Sequence, residues 1–364
     1  MLESKDTQFS LSMNGEILWQ EKLNNPVPGE PVARLVKGKA ALQPDIQILD
    51  NGLTQAQDHG ALLNHLKLWL NAHFTAVLEP LVLLNIPQGV EPKADVVSQI
   101  AQRVYDSLGV VPRSELEDLI KQLDTETRTE LRAKKIRLGP ILAFMPELNK
   151  PAAVKLRAVL WSVFHGSELP PVVPADGIVS FAVDSEKANP VYLRTIGYPF
   201  YGKHAVRIDM LDRVVNLVYE IADKGKFQAR HQMAEWLGVS IAALYAVLEG
   251  MGHTKIYDPL EQEAEAEASD PLSDPEDKKQ NGEEDKKPEL ATFRLKKGKA
   301  YRSGQAGASA RRPNKAHKAK SKQEHLKAKK KSSKPKDRGP KVISAHAKIS
   351  AEDSPFAILG QLKK

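Results

Sequence analysis

The chain has 364 residues, a formal charge of +7, a pI near 9.2 and no cysteine. Without thiols it has neither a disulfide framework nor a thiolate metal site, and it has no run of about 18 apolar residues to cross a membrane. The mean charge hides a layout: residues 1–256 are close to neutral, Tyr257 to Leu290 is acidic, and Ala291 to Lys341 is rich in Lys and Arg.

Residues 1–52 read as a small β-rich unit. Phe9, Leu11 and Met13 alternate with polar residues, Asn14-Gly15 supplies a hairpin turn, and Ile17 and Trp19 resume the alternation. Val32 to Val36 and Ile46 to Leu49 are further short strands. From 53 to 169 the period is helical. Leu62, Leu66, Leu70, Phe74 and Leu78 recur every four residues on one helix face. A second helix carries Val96, Ile100, Val104 and Leu108 and stops at Gly109. Ser114 and Glu117 have capping-box spacing, Thr125 to Lys135 is a charged, exposed helix, and Pro151 opens a helix that Gly166 closes. The four tryptophans, Trp19, Trp69, Trp161 and Trp236, lie on apolar stripes and read as core.

A Pro-rich stretch from Pro170 to Gly177 marks a boundary, and 170–256 reads as a second helical subdomain. Val206 to Ile221 is amphipathic. Met233 to Met251 has helix-turn-helix spacing, with Leu237-Gly238-Val239-Ser240 as the turn. Its second helix (Ile241 to Ala246) has no Arg, Lys, Asn or Gln to read base edges, which favours an ordinary αα-hairpin. Gly197 to Lys203 has the Gly and Lys spacing of a phosphate loop. However, His204 replaces the Ser/Thr, Pro199 removes an amide donor and Tyr198, Phe200 and Tyr201 are bulky. An aromatic turn is the better reading. No HExxH or GxSxG occurs, and His165, His204 and His253 are scattered.

The fold class expected is therefore mainly α with a small N-terminal β unit (α+β), followed by a long disordered charged tail. The acidic linker, 257–290, carries roughly −9. The basic tail, 291–342, has about nineteen Lys/Arg against two acids. Such blocks repel themselves and lack apolar residues to bury. A basic tail gains affinity for polyanions by counterion release, with Arg311, Arg312, Lys329, Lys330 and Lys331 as contacts. In 343–364, Phe356, Ile358, Leu359 and Leu362 make a short amphipathic motif.

Several ordered stretches together resemble a known family. They are Gly29-Glu-Pro-Val-Ala-Arg34-Leu-Val-Lys-Gly38, Leu66-Lys-Leu-Trp-Leu70, Leu81 after Pro80, Arg137-Leu-Gly139, Pro146, Lys150-Pro151, Leu160-Trp161 and His165-Gly166. Arg194, Gly197, Gly202, Ala205-Val-Arg207-Ile-Asp209, Leu211, Arg213 and the terminal Ser354-Pro-Phe-Ala-Ile-Leu359 follow in order. They resemble the C-terminal region of a bacterial family of superfamily-two ATP-dependent helicases related to the mitochondrial degradosome RNA helicase. Lys203 departs from that family's aromatic turn. The family's ATPase motor precedes this region, so the resemblance implies a detached accessory part without the motor.

The resemblance implies a platform that holds the unwound strand by phosphate contacts and stacking. Arg137, Lys150, Arg194, Lys203 and Arg207 are the candidate cations, and Tyr198 or Tyr201 the candidate for stacking. Expected partners are RNA or DNA and a helicase motor chain, with no membrane, in the cytoplasm. No cofactor is expected in this chain, ATP and Mg acting only through the separate motor, and no catalysis by the chain alone. The alternatives are a stand-alone helix-turn-helix DNA binder and a non-specific RNA- or ribosome-binding scaffold that uses the tail.

Overall fold

A computed structural model of the chain describes residues 1–22, 25–85, 95–259 and 288–296. Arg311, Arg312, Lys329, Lys330, Lys331, most of the acidic linker and the terminal motif lie outside the described residues.

Four strands, β1 (Phe9–Leu11), β2 (Glu16–Trp19), β3 (Glu30–Ala40) and β4 (Gln43–Ile48), form an antiparallel sheet in chain order. Helix α1 (His59–Val82) starts at Asp58, whose carboxylate accepts from the Gly60 and Ala61 N–H groups. Its expected apolar face is buried, and Leu78 leaves helical geometry just before Pro80, which cannot donate to the helix ladder. Helix α2 (Val96–Asp106) stops where Leu108 and Gly109 turn to positive φ, 52° and 93°.

Then come β5 (Val110–Pro112), α3 (Arg113–Ile120), α4 (Thr125–Ala133), β6 (Arg137–Leu138) and β7 (Leu142–Phe144), the strands pairing in the order β5-β7-β6. The capping box expected at Ser114 and Glu117 does not form, because α3 already begins at Arg113, behind Pro112. The reciprocal cap instead joins Asp124 and Thr127 at the start of α4. Helix α5 (Pro151–His165) begins at its proline and ends on left-handed Gly166. Residues from β1, β3, α1, α2 and α5 share one continuous apolar core, so the β unit is not separate from the helices behind it.

Arg157 is fully buried in α5. Its guanidinium donates to five backbone carbonyls: Ala153 at 3.3 Å, Leu108 at 3.3 Å, Leu148 at 2.7 Å, Thr195 at 2.7 Å and Ile196 at 3.1 Å. Burial pulls its pKa down to about 9, which leaves it charged at neutral pH. Every donor of the planar fork is used, so the buried cation is solvated by peptide dipoles instead of a carboxylate.

The next segment holds β8 (Ser180–Ala182), α6 (Pro190–Thr195), β9 (Phe200–Tyr201) and β10 (His204–Val206), paired in the order β8-β10-β9. The last part runs through α7 (Ile208–Ile221), β11 (Lys226–Gln228), α8 (His231–Leu237), α9 (Ile241–Gly250), β12 (Thr254–Tyr257) and β13 (Thr292–Arg294). Here the sheet order is β11-β13-β12. Helix, strand, two helices and two strands, with the last strand central, is the connectivity of a winged helix-turn-helix.

Two sequence expectations need correction. The fold is mixed α+β, as expected, but strands recur along the whole described chain and are not confined to an N-terminal β unit. The basic tail does not begin at 291. Leu290, Ala291, Phe293 and Leu295 are buried, and β13 pairs with both neighbours. Phe293 stacks on Phe227, ring centroids 5.7 Å apart, and meets Tyr245 edge-on at 5.5 Å. The Tyr245 hydroxyl accepts from the Ala291 N–H at 2.8 Å. Charge density alone misassigns this strand, because its apolar residues occupy only a short break between the two charged blocks.

Phe293→Ala is expected to cost about 3–5 kcal/mol, read as a lowered urea midpoint. His253 supplies a pH test. Its Nδ1 accepts from the Lys296 N–H at 3.2 Å, so the ring is neutral. Burial, and then the Lys296 charge, lower its pKa to about 4. A folded pKa below the unfolded value means that the unfolded chain takes up the proton first, so stability present above pH ~6.5 is lost as pH falls towards 4. The wild-type minus His253→Gln difference in unfolding midpoint should shrink across that window. His73, also lowered by burial, cancels in the difference.

Candidate nucleic-acid interface

On α4, Arg128 and Arg132 lie one turn apart on one face. The chain then turns at Lys135, which adopts positive φ of 62°, and enters β6 at Arg137. These residues wall a cleft of about 500 Å³ whose other side is Asp212 and Asn216 of α7. Arg137, Pro146 and Asn216 also line a second hollow of about 370 Å³, which continues to Arg213 of α7 and Trp236 of α8. The Arg213 guanidinium lies 5.2 Å from the Trp236 ring centroid. Trp236 is half-buried: it packs against the core of the last part, as its apolar stripe suggested, and also forms the wall of this groove.

The electrostatics are mixed. Arg137 pairs with Asp212 at 2.6 Å, the arginine half-exposed and the aspartate almost fully buried. Burial raises the Asp212 pKa, while Arg137 and the Asn216 amide oppose the rise. Gly139 makes the approach possible, because a Cβ there would fall 2.4 Å from Asp212 Oδ1. The Arg137-Leu-Gly139 sequence therefore has a local physical reason: the buried acid needs the arginine, and its approach needs the missing side chain. Lys135 pairs with Glu147 at 3.4 Å. Arg132 and Arg213 have no ion-pair partner among the described residues. They are the cations left open to a phosphate.

The residues singled out from sequence do not converge. Arg137 alone lies in this groove. Tyr198 is 4% exposed and its hydroxyl donates to the Ile178 carbonyl at 2.8 Å, so it cannot stack on a base. Tyr201 is half-buried against the α7–α9 core, and burial raises its pKa. Arg207 is spoken for: its fork closes on Asp209 at 2.7 and 3.0 Å, an acid well placed in the first turn of α7. Lys150 is exposed at the start of α5, and Lys203 is exposed at the β9–β10 turn. Arg194 lies elsewhere, beside Trp161 and His165. Arg128, Arg132, Arg213 and Trp236 were missed. The charged, exposed helix ending at Lys135 was a signal for Arg128 and Arg132 only; Arg213 entered only through the family resemblance and Trp236 only as a core residue.

Gly197 to Lys203 is a hairpin arm, not a phosphate loop, because Phe200 and Tyr201 are strand and the turn at Gly202 leads back into β10. Helices α8 and α9 cross at 86°, as in a helix-turn-helix. One side of α9 is covered by that hairpin: a Cβ on Gly250 would meet the Gly202 nitrogen at 2.2 Å. The exposed positions of α9 are Ala242, Glu249 and Gly250, which offer a duplex no cation. Among the described residues no group of three His, Asp or Glu is placed to hold a metal, and no single helix is long and apolar enough to cross a membrane. No protein-family model, curated protein or solved structure matches the chain.

Gly139→Ala should push Asp212 away from Arg137 and lower thermal stability by a few degrees. Removing the clashing atoms at the same time, as Gly139→Ala with Asp212→Ala, is expected to recover part of that loss.

Proposed function

We propose that this chain is an accessory, single-strand nucleic-acid-binding part of a helicase, without ATPase activity of its own. The observation that supports the reading best is the groove from Arg132 to Trp236. Single strands are held by cations tracking phosphates and by aromatic rings on which any base can stack. The groove offers both, with Arg132 and Arg213 open and a half-buried indole between helices. Rigid helices behind it suit a platform that resists backward slip while a motor supplied by another chain steps along the strand. The resemblance to superfamily-two helicases adds the context, and the basic residues after Lys296 add a non-specific contribution.

Fluorescence anisotropy of labelled single-stranded RNA and DNA across a salt series tests this, with the full chain and with residues 1–296. The shorter form keeps β13 and so keeps the fold. Trp236→Ala should weaken binding by about 1–3 kcal/mol, and Arg132→Ala should reduce the salt slope by about 1. Binding that vanishes entirely with residues 297–364 would replace the platform with a tail-based scaffold.

A further inference from the structure

A further hollow, of about 370 Å³ and distinct from the two described above, lies between β3, the end of α2, α5 and α6. It is large enough for a small ligand of nucleotide size. Its aromatic wall is the C-terminal end of α5. His165 stacks on Trp161 with centroids 4.2 Å apart, and Phe164 meets His165 edge-on at 5.2 Å. Trp161 is buried and fixed, whereas His165 is exposed and Phe164 half-buried, so ring surface faces outward.

Two cations, Lys39 and Arg194, also line it. Arg194, half-buried at the end of α6, has no hydrogen-bond or ion-pair partner among the described residues, and neither does Lys39. Lys37 lies 5.1 Å from the Phe164 ring centroid. Lys39 lines the hollow, and Lys37 lies two residues before it on β3. The strand is irregular between Val36 and Ala40, and Gly38 within it has no room for a side chain, because a Cβ would fall 1.9 Å from the Gln43 carbonyl. Asp106 is the one acid lining the hollow, and its Oδ1 accepts from Gln102 at 2.9 Å. A carboxylate there repels phosphate but accepts from a sugar hydroxyl.

We infer that this hollow binds a nucleoside monophosphate unit, the base against His165 and Phe164, the phosphate between Lys39 and Arg194, and the sugar towards Asp106. The pairing of an exposed aromatic wall with unpartnered cations carries the assignment: a purely structural arginine would be expected to close on a carbonyl or carboxylate, as Arg157 and Arg207 do. The site is separate from the Arg132–Trp236 groove and stands without it.

Isothermal titration calorimetry of the full chain with AMP, at about 150 mM salt to screen the basic residues beyond the fold, tests the inference with no strand in the cell. AMP should bind saturably, and adenosine at least tenfold more weakly. The double variant Lys39→Gln/Arg194→Gln should weaken AMP at least tenfold while keeping the wild-type circular dichroism and melting temperature. Phe164→Leu, which keeps the volume but loses the ring, should weaken AMP and adenosine alike. A saturable heat that the double variant leaves unchanged, or no saturable heat at all, overturns the site. The source is settled by competition with a 5′-phosphorylated RNA octamer: displacement of AMP identifies a strand end, and its absence a free nucleotide.

Discussion

The guanidinium of Arg157 is the constraint on which the centre of the molecule depends. Its five carbonyl partners come from α5 itself, the turn after α2, the short helical turn before α5 and the end of α6. A charge buried without these partners would cost several kcal/mol, so each segment is held where its carbonyl is needed. The local conformations fit the requirement. Leu108 and Gly109 adopt positive φ to turn the first carbonyl inward, and Gly197, at φ 92°, lets the end of α6 pass close to the guanidinium. Lysine could supply neither the planar geometry nor enough donors. The wall of the nucleotide-sized hollow and the start of the β9–β10 arm both hang on segments that Arg157 ties together.

The C-terminal helix pair has helix-turn-helix topology, but its second helix is not laid open. Its helices cross at nearly a right angle and its sheet has the winged order. Yet β9 and Gly202 cover one side of the second helix, and no cation lies on the rest. The same unit instead turns a different edge outward, where Trp236 of α8 meets Arg213 of α7. Strands β12 and β13 pair although they are distant in sequence, and Phe293 fills the core beside them.

The two candidate sites share one chemical logic, an aromatic surface beside cations that the fold does not itself neutralise. They differ in how the cations are left open. In the groove, Arg137 and Lys135 are spent on Asp212 and Glu147, and what remains comes from α4 and α7. In the hollow, an irregular stretch of β3 around Gly38 carries Lys39 to the wall facing α6 and Lys37 to the Phe164 ring. Residues 1–256 being near neutral overall is consistent with both, since attraction for phosphate depends on which charges are partnered and not on their sum.

Local structure was largely legible in the sequence. The hairpin at Asn14-Gly15, the face of α1, the start of α5 at Pro151 and its stop at Gly166 follow from periodicity and from residues whose backbone preferences are strong. The helix pair at Met233–Met251 was legible too, as was the absence of base-reading side chains from its second helix. Tertiary structure alone decided which charged and aromatic side chains are free. Arg207 is closed by Asp209, Tyr198 by Ile178 and Arg137 by Asp212, whereas Arg132, Arg194 and Arg213 are open, and nothing in their spacing distinguishes the two groups. It also decided that Phe293 belongs to a core. Period and propensity are properties of neighbours along the chain, whereas pairing and burial depend on groups brought together from distant segments, such as Gly139 making room for Asp212 and Ala291 meeting Tyr245.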